Sequence, residues 1–297
     1  LIGIAALTRA TRSDVPRPWL AFLSGFAFAC AATIRPVDGF AFALPAGAWY
    51  LSRALRNRAH WRDAIAAAIG VAIPLAALLW ANHETTGSAL LFGYELLWGK
   101  SHSLGFHPAP FGMVHTPARG VELINGYLLQ LQTYLFESPI PSLVPAIGTM
   151  LLTRKLEALD RYLIASAALL LGLYFAYWHD GAYLGPRFVY LLVPVFALYT
   201  ARFFPLLRER FGSGLPYRTA VYSALCAVLI AATTLAPLRA QQYENLQITM
   251  RWDADAAAAA SRVDHALVFV RESWGAQIIA RMWALGIPRS ETEHLYR

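Results

Sequence analysis

Charge is scarce in this sequence: 14% of its 297 residues are Asp, Glu, Lys or Arg and 57% are hydrophobic, where a soluble domain carries about 25% charged residues. Cysteine is scarcer still. Cys30 and Cys226 both lie within apolar stretches, where a thiol packs as a small apolar side chain rather than as half of a disulfide or metal pair. There is no Gly-rich phosphate loop, no Ser-centred nucleophile elbow and no paired-cysteine motif, which removes the common nucleotide, hydrolase and zinc signatures. No internal repeat is visible. The net charge of +7 resides in short loops and does not point to nucleic acid.

What is present is a series of apolar stretches of membrane length. Spans are expected at 18–34, 37–52, 63–81, 140–153, 162–178, 187–204 and 217–237, each rich in Leu, Ala, Phe and Val. Pro74 and Pro194 fall inside spans, where neighbouring helices tolerate the kink. Residues 1–7 are also apolar and are read as the end of a partial first span. The expected fold is therefore an α-helical polytopic membrane protein with about seven full spans.

The basic residues set its orientation. Arg9, Arg12 and Arg17, then Arg53, Arg56, Arg58 and Arg62, then Arg154, Lys155 and Arg161, then Arg202, Arg208, Arg210 and Arg218 hold fourteen of the 25 Lys and Arg. The intervening short segments hold Arg35, Lys100, Arg119 and Arg187. The positive-inside rule places the four clusters in the cytoplasm of a bacterial inner membrane. Parity then requires one crossing between Asn82 and Arg154. Segment 121–136, with Glu122, Asn125, Gln130 and Gln132, is expected to lie in the outer interface instead of crossing. Two domains follow: a membrane domain over 1–237, with an external loop and interfacial helix at about 82–139, and an external tail over 238–297. In the tail, 266–270 reads as a buried strand and 275–285 as an amphipathic helix, part of a small α/β unit.

The external link 179–187 concentrates chemistry. It holds His179, Asp180, Tyr183 and Arg187, with Gly181, Gly185 and Pro186 bending the backbone. At headgroup depth the Arg187 guanidinium can fork onto a phosphate or diphosphate; as a structural residue it would snorkel to lipid headgroups while Asp180 caps a helix. Arg35 and Asp38 form a second external cluster, either an ion pair holding a hairpin or a ligand site. Asn82 and His83-Glu84 form a third, where Glu84 is placed for acid–base work unless the segment merely turns the chain. In the long loop, Lys100 and His102 suit phosphate contacts. His102, His107 and His115 lack a helix to align them and an acidic ligand nearby, so no metal site is assigned.

Three stretches resemble the GT-C superfamily of membrane glycosyltransferases, in particular the bacterial relatives of protein O-mannosyltransferase and aminoarabinose transferase. They are Ala32-Thr33-Ile34-Arg35-Pro36; the segment from Asn82 to Tyr94; and Gly185-Pro186-Arg187-Phe188 followed by Pro194. The resemblance implies transfer of a sugar from a polyprenyl-phosphate donor to a lipid, glycan or protein acceptor at the periplasmic face, with inversion at the anomeric carbon. It also implies that Arg187, His179, Asp180, Tyr183, Lys100 and His102 surround the donor phosphate. The family's acidic catalytic motif belongs to a first external loop that this sequence does not contain, so a catalytic residue is not assigned and the fragment alone is expected to be inactive. No cofactor is assigned, a divalent metal being left open.

Two other classes fit the composition. A lipid-linked transporter or flippase would place charges near the bilayer midplane, whereas the charges here gather at the two faces. A non-catalytic scaffold leaves the 179–187 cluster without a purpose.

Overall fold

The computed structural model describes residues 1–99, 103–109, 113–179, 186–241 and 287. The chain divides into two compact units, Leu1–Leu238 and Arg239–Arg297. The expected strand 266–270 and helix 275–285 lie outside the described residues, as do Lys100, His102, Asp180 and Tyr183.

The first unit is helical, and no strand occurs among the described residues. Its elements are α1 (Ile2–Thr11), α2 (Pro18–Ile34), α3 (Pro36–Arg56), α4 (Trp61–Thr86), α5 (Gly93–Trp98), α6 (Pro117–Tyr134), α7 (Val144–Leu152), α8 (Ala158–Phe175), α9 (Val193–Phe211) and α10 (Leu215–Ile230). Proline in the first turn opens α2, α3, α6, α7, α9 and α10, where its missing N–H costs no hydrogen bond. Gly87, at φ 78°, closes α4 in the left-handed conformation.

Among the described residues four stretches are long and apolar enough to cross a membrane: Arg58–Thr86, Ala158–Phe175, Tyr190–Phe211 and Leu215–Gln241, with Pro18–Ile34 a shorter apolar helix. The outward surface agrees with this. Tyr222, Leu225, Val228 and Leu229 are all exposed on α10, an arrangement that water penalises and lipid does not. Each expected span contains a helix, but α7 has only nine residues. At about 1.5 Å per residue it reaches about 14 Å, less than half of a hydrocarbon core of roughly 30 Å. It runs beside the second half of α9: Thr149 Oγ1 donates to the Tyr199 carbonyl (2.7 Å), and Arg210 donates to the Leu152 carbonyl (2.8 Å).

Small residues bring the helices together. A Cβ on Gly25 would strike the Ala67 carbonyl, and one on Gly70 the Phe22 carbonyl, so α2 and α4 meet backbone to backbone. The interior is partly polar. At the Arg56 end of α3, buried Asp63 accepts from the Arg17 backbone N–H (2.7 Å) and pairs with His60 Nδ1 (3.2 Å). Arg53 lies 3.2 Å from His60 Nε2 and donates to the carbonyls of Thr11 and Ser13, both at 2.6 Å. At the same end of α8, buried Asp160 accepts from Arg202 and from Tyr199 Oη. These networks satisfy buried charges and fasten the turns between helices.

α6 is amphipathic. Leu123, Tyr127 and Leu131 are buried at a spacing of four, while Arg119 and Glu122 form an exposed ion pair at 2.9 Å. Thr116 caps it by accepting from the Arg119 backbone N–H (3.2 Å). The loop before it folds onto the end of α8: Gly105 N–H donates to the Ala176 carbonyl (2.7 Å) and His115 Nε2 to the Phe175 carbonyl (3.1 Å).

Candidate functional site

At the Arg35 end of the bundle, one aromatic ring collects the charges. Phe188 lies 5.1 Å from the Arg35 guanidinium and 4.8 Å from that of Arg187, both within cation–π reach. His179 stacks on the same ring at 4.8 Å, and Tyr174 packs at 5.1 Å. Tyr127, from α6, stacks on His179 and places its hydroxyl 3.0 Å from His179 Nδ1.

Arg35 interrupts the path between α2 and α3 in an extended conformation that lets Pro36 start a new helix. Its Nε donates to Asp38 Oδ2 at 3.2 Å, and its Nη1 donates to the Arg187 carbonyl at 2.9 Å. Asp38 is buried and also accepts the Tyr174 hydroxyl. Arg35 is thus held by α3, by the turn before α9 and, through Asp38, by α8. Its side chain remains 36% exposed, with further N–H donors on its fork.

Next to this cluster runs a groove of about 520 Å³. Ala29, Ala43, Val71 and Leu75, from α2, α3 and α4, line its apolar length; Tyr94, Glu95, Ser103 and Tyr177 supply its polar groups. Tyr177 lines the groove and packs its ring 6.2 Å from Phe188, the ring that Arg35 and Arg187 share, so the groove adjoins the cluster. Burial, reinforced by the Glu95 charge, pushes the Tyr94 phenol up to about 12.

Of the residues singled out in the sequence, Arg35, Asp38, His179 and Arg187 come together. Arg187 sits in the turn before the Tyr190–Leu192 helical turn, not within a span. Asn82 and Glu84 are placed elsewhere. Asn82 is buried and donates to the Ala89 carbonyl (3.2 Å), tying down the turn after α4, and Glu84 is exposed. Among the described residues no group of His, Cys, Asp and Glu is arranged to hold a metal. His107 contacts the Ser103 carbonyl at 2.9 Å, and His115 bonds to the backbone of α8.

Sequence reasoning missed Tyr127, Tyr174, Phe188 as the shared ring, and Glu95. The three aromatics sit in apolar context and look like core; only the adjacency of Phe188 to Arg187 hinted at stacking. No protein family, curated protein or solved structure matches this chain.

Proposed function

We propose that this chain is the membrane part of a glycosyltransferase that moves a sugar from a polyprenyl-phosphate donor to a lipid, glycan or protein acceptor at the outer face of a bacterial inner membrane. One observation carries the reading: two guanidiniums share the Phe188 ring beside an apolar groove between helices. A polyprenyl phosphate has those two parts, an apolar chain and an anionic end. The groove takes the chain by excluding water, and guanidinium forks match phosphate oxygens.

The chemistry follows from the charge. As the bond from the anomeric carbon to the phosphate oxygen breaks, the leaving phosphate gains negative charge. Arginines fixed in advance stabilise that charge without reorganising. The Asp38 carboxylate and Tyr174 hydroxyl, by orienting Arg35, supply the fixing. His179, held by Tyr127, and Phe188 wall the site. In this reading α2, α3, α4, α7, α8, α9 and α10 follow the seven expected spans, α7 filling only part of its own, and α6 lies along the periplasmic face.

The test is transfer in membrane vesicles containing the protein, supplied with radiolabelled polyprenyl-phosphate sugars. Label should pass into lipid, glycan or protein with the wild type and fall at least about hundredfold with Arg187→Ala while insertion is unchanged. Transfer indifferent to Arg187→Ala would remove this site. Movement of labelled lipid across the bilayer without transfer would favour a flippase.

A further inference from the structure

We propose that a cleft between α2, α3 and α4, at the Arg56 end of the bundle, holds one anionic phospholipid of that leaflet, its phosphate on Arg58 and Arg62 and an acyl chain along the cleft. The inference rests on the membrane placement of these helices and not on the transferase reading.

The apolar wall of the cleft has the length of one leaflet. Trp61, Ala64, Ala68 and Val71 line it from one face of α4. From Trp61 to Val71 the helix rises about 15 Å, half of a hydrocarbon core of roughly 30 Å. On α3, Gly47 keeps the cleft open, since a Cβ there meets nothing within 4 Å. The enclosed volume is about 450 Å³, and at Ala43 and Val71 the cleft meets the groove beside Phe188.

Two hydroxyls set it apart from an ordinary seam facing lipid. Ser24 and Tyr50 line the cleft and are 0% and 3% exposed. Among the described residues neither hydroxyl oxygen has a hydrogen-bond partner. Ser24 is near enough to Tyr50 to influence its phenol, but one bond between the two would still leave an O–H without an acceptor. A hydroxyl left unmet costs free energy, and hydrocarbon offers it nothing. The ester carbonyls of a glycerophospholipid are acceptors, and they lie between its phosphate and its chains.

The rim supplies the charge. Arg62 follows Trp61 at the mouth, and Arg58 stands one turn before it; both are exposed. Among the described residues neither is in an ion pair. Asp63, the nearest acid in sequence, is buried and paired with His60. Free guanidiniums beside a cleft between membrane helices suit an anionic headgroup, and Trp61, itself 41% exposed, belongs at that depth. Cation, hydroxyl and apolar wall thus follow in the order of phosphate, ester and chain. A polyprenyl tail continuing from the groove beside Phe188 would bring no acceptor to the hydroxyls and no anion to the arginines.

The test uses the full chain in detergent, titrated with phosphatidylglycerol or with phosphatidylcholine of the same chains, and counts bound lipid by native mass spectrometry. Wild type should retain one phosphatidylglycerol about tenfold more tightly than phosphatidylcholine. The double variant Arg58→Gln, Arg62→Gln should bring the two lipids within about threefold of each other. Gly47→Leu fills the cleft and should lose the tight site for both lipids, with its melting temperature in detergent alone unchanged. Ser24→Ala should weaken both lipids by roughly 2- to 10-fold. Equal retention of the two lipids by wild type overturns the proposal, as does a preference that survives in the double arginine variant. Binding unaffected by both Gly47→Leu and Ser24→Ala puts the lipid elsewhere and also overturns it.

Discussion

The hydroxyl of Tyr174 donates to Asp38 Oδ1, joining the last turn of α8 to the first turn of α3 across 136 residues of sequence. Asp38 carries two partners, Tyr174 and Arg35, and the same Arg35 stacks on Phe188. Tyr174→Phe keeps the ring and removes one donor from a buried carboxylate. The expected cost is about 1–3 kcal/mol, read as a lowered melting temperature in detergent. Turnover should fall as well, because Arg35 loses part of its anchor. Unchanged stability and turnover would show that Asp38 is held by Arg35 alone.

The contact between α2 and α4 depends on missing side chains. A methyl on Gly70 meets the Phe22 carbonyl, whereas a methyl on Gly126 of α6 meets nothing within 4 Å. Gly70→Ala should destabilise the protein by roughly 1–3 kcal/mol, the usual cost of overpacking. Gly126→Ala should be neutral or stabilising by up to about 1 kcal/mol through helix propensity. Thermal melts of the two variants side by side check both, and equal melting points would refute the close helix approach.

Arg53 closes the turn between α1 and α2 by donating to the carbonyls of Thr11 and Ser13. Arg53→Met keeps the length of the side chain and removes those bonds. The exposed Arg12 in that turn should then be cleaved faster by trypsin, by about tenfold if roughly 1.4 kcal/mol of local stability is lost. Cleavage at the wild-type rate would mean that Asp63, bonded to the Arg17 backbone N–H, holds the turn without help.

The helices and the charged half of the site were legible because each violates its surroundings. Arg35 and Asp38 stand out in an apolar stretch, and Arg187 follows a bent Gly-Pro link; such charges near lipid need partners, and the fold gives them. The aromatics were not legible. Tyr174 and Phe188 belong to apolar segments, and only the packing of α8 against α3 and of the turn before α9 against α6 turns them into a platform. Glu95 stands in an apolar run, Leu90-Leu91-Phe92-Gly93-Tyr94-Glu95-Leu96, and only the fold shows that it lines the groove walled by α2, α3 and α4. Within the expected span 140–153 regular helix covers only Val144–Leu152, with Pro141 before it and Pro145 in its first turn.

Orientation is open to a direct measurement. Ser88, after α4, and Ser213, between α9 and α10, are both exposed and lie at opposite ends of spanning stretches. With Cys30 and Cys226 replaced by Ser, Ser88→Cys should react with a membrane-impermeant maleimide in intact cells. Ser213→Cys, beside the basic cluster of Arg208, Arg210 and Arg218, should react only after permeabilisation. The reverse pattern would put the Arg35 end in the cytoplasm and end the periplasmic assignment.

His115 gives the protein a pH-dependent stability whose sign can be worked out. Its ring is buried against Phe106, and Nε2 donates to the Phe175 carbonyl, so Nδ1 is the unprotonated nitrogen. Among the described residues Nδ1 has no hydrogen-bond partner. Burial, with lesser contributions from His107 and Arg119, holds the imidazole below its ordinary value, against the raising effect of the Phe175 carbonyl. In the unfolded chain the imidazole titrates near about 6.5. Between that value and the lower folded one, the unfolded chain binds a proton that the folded chain refuses. Stability from this group is therefore complete above about 6.5 and is lost as pH falls toward the folded value. His115→Gln retains an N–H for the Phe175 carbonyl and cannot take up the proton. Melts at about pH 7.5 and about pH 5.5 should show a smaller acid-induced drop for His115→Gln than for wild type. An equal drop in both would assign the acid sensitivity to other groups and leave His115 as packing.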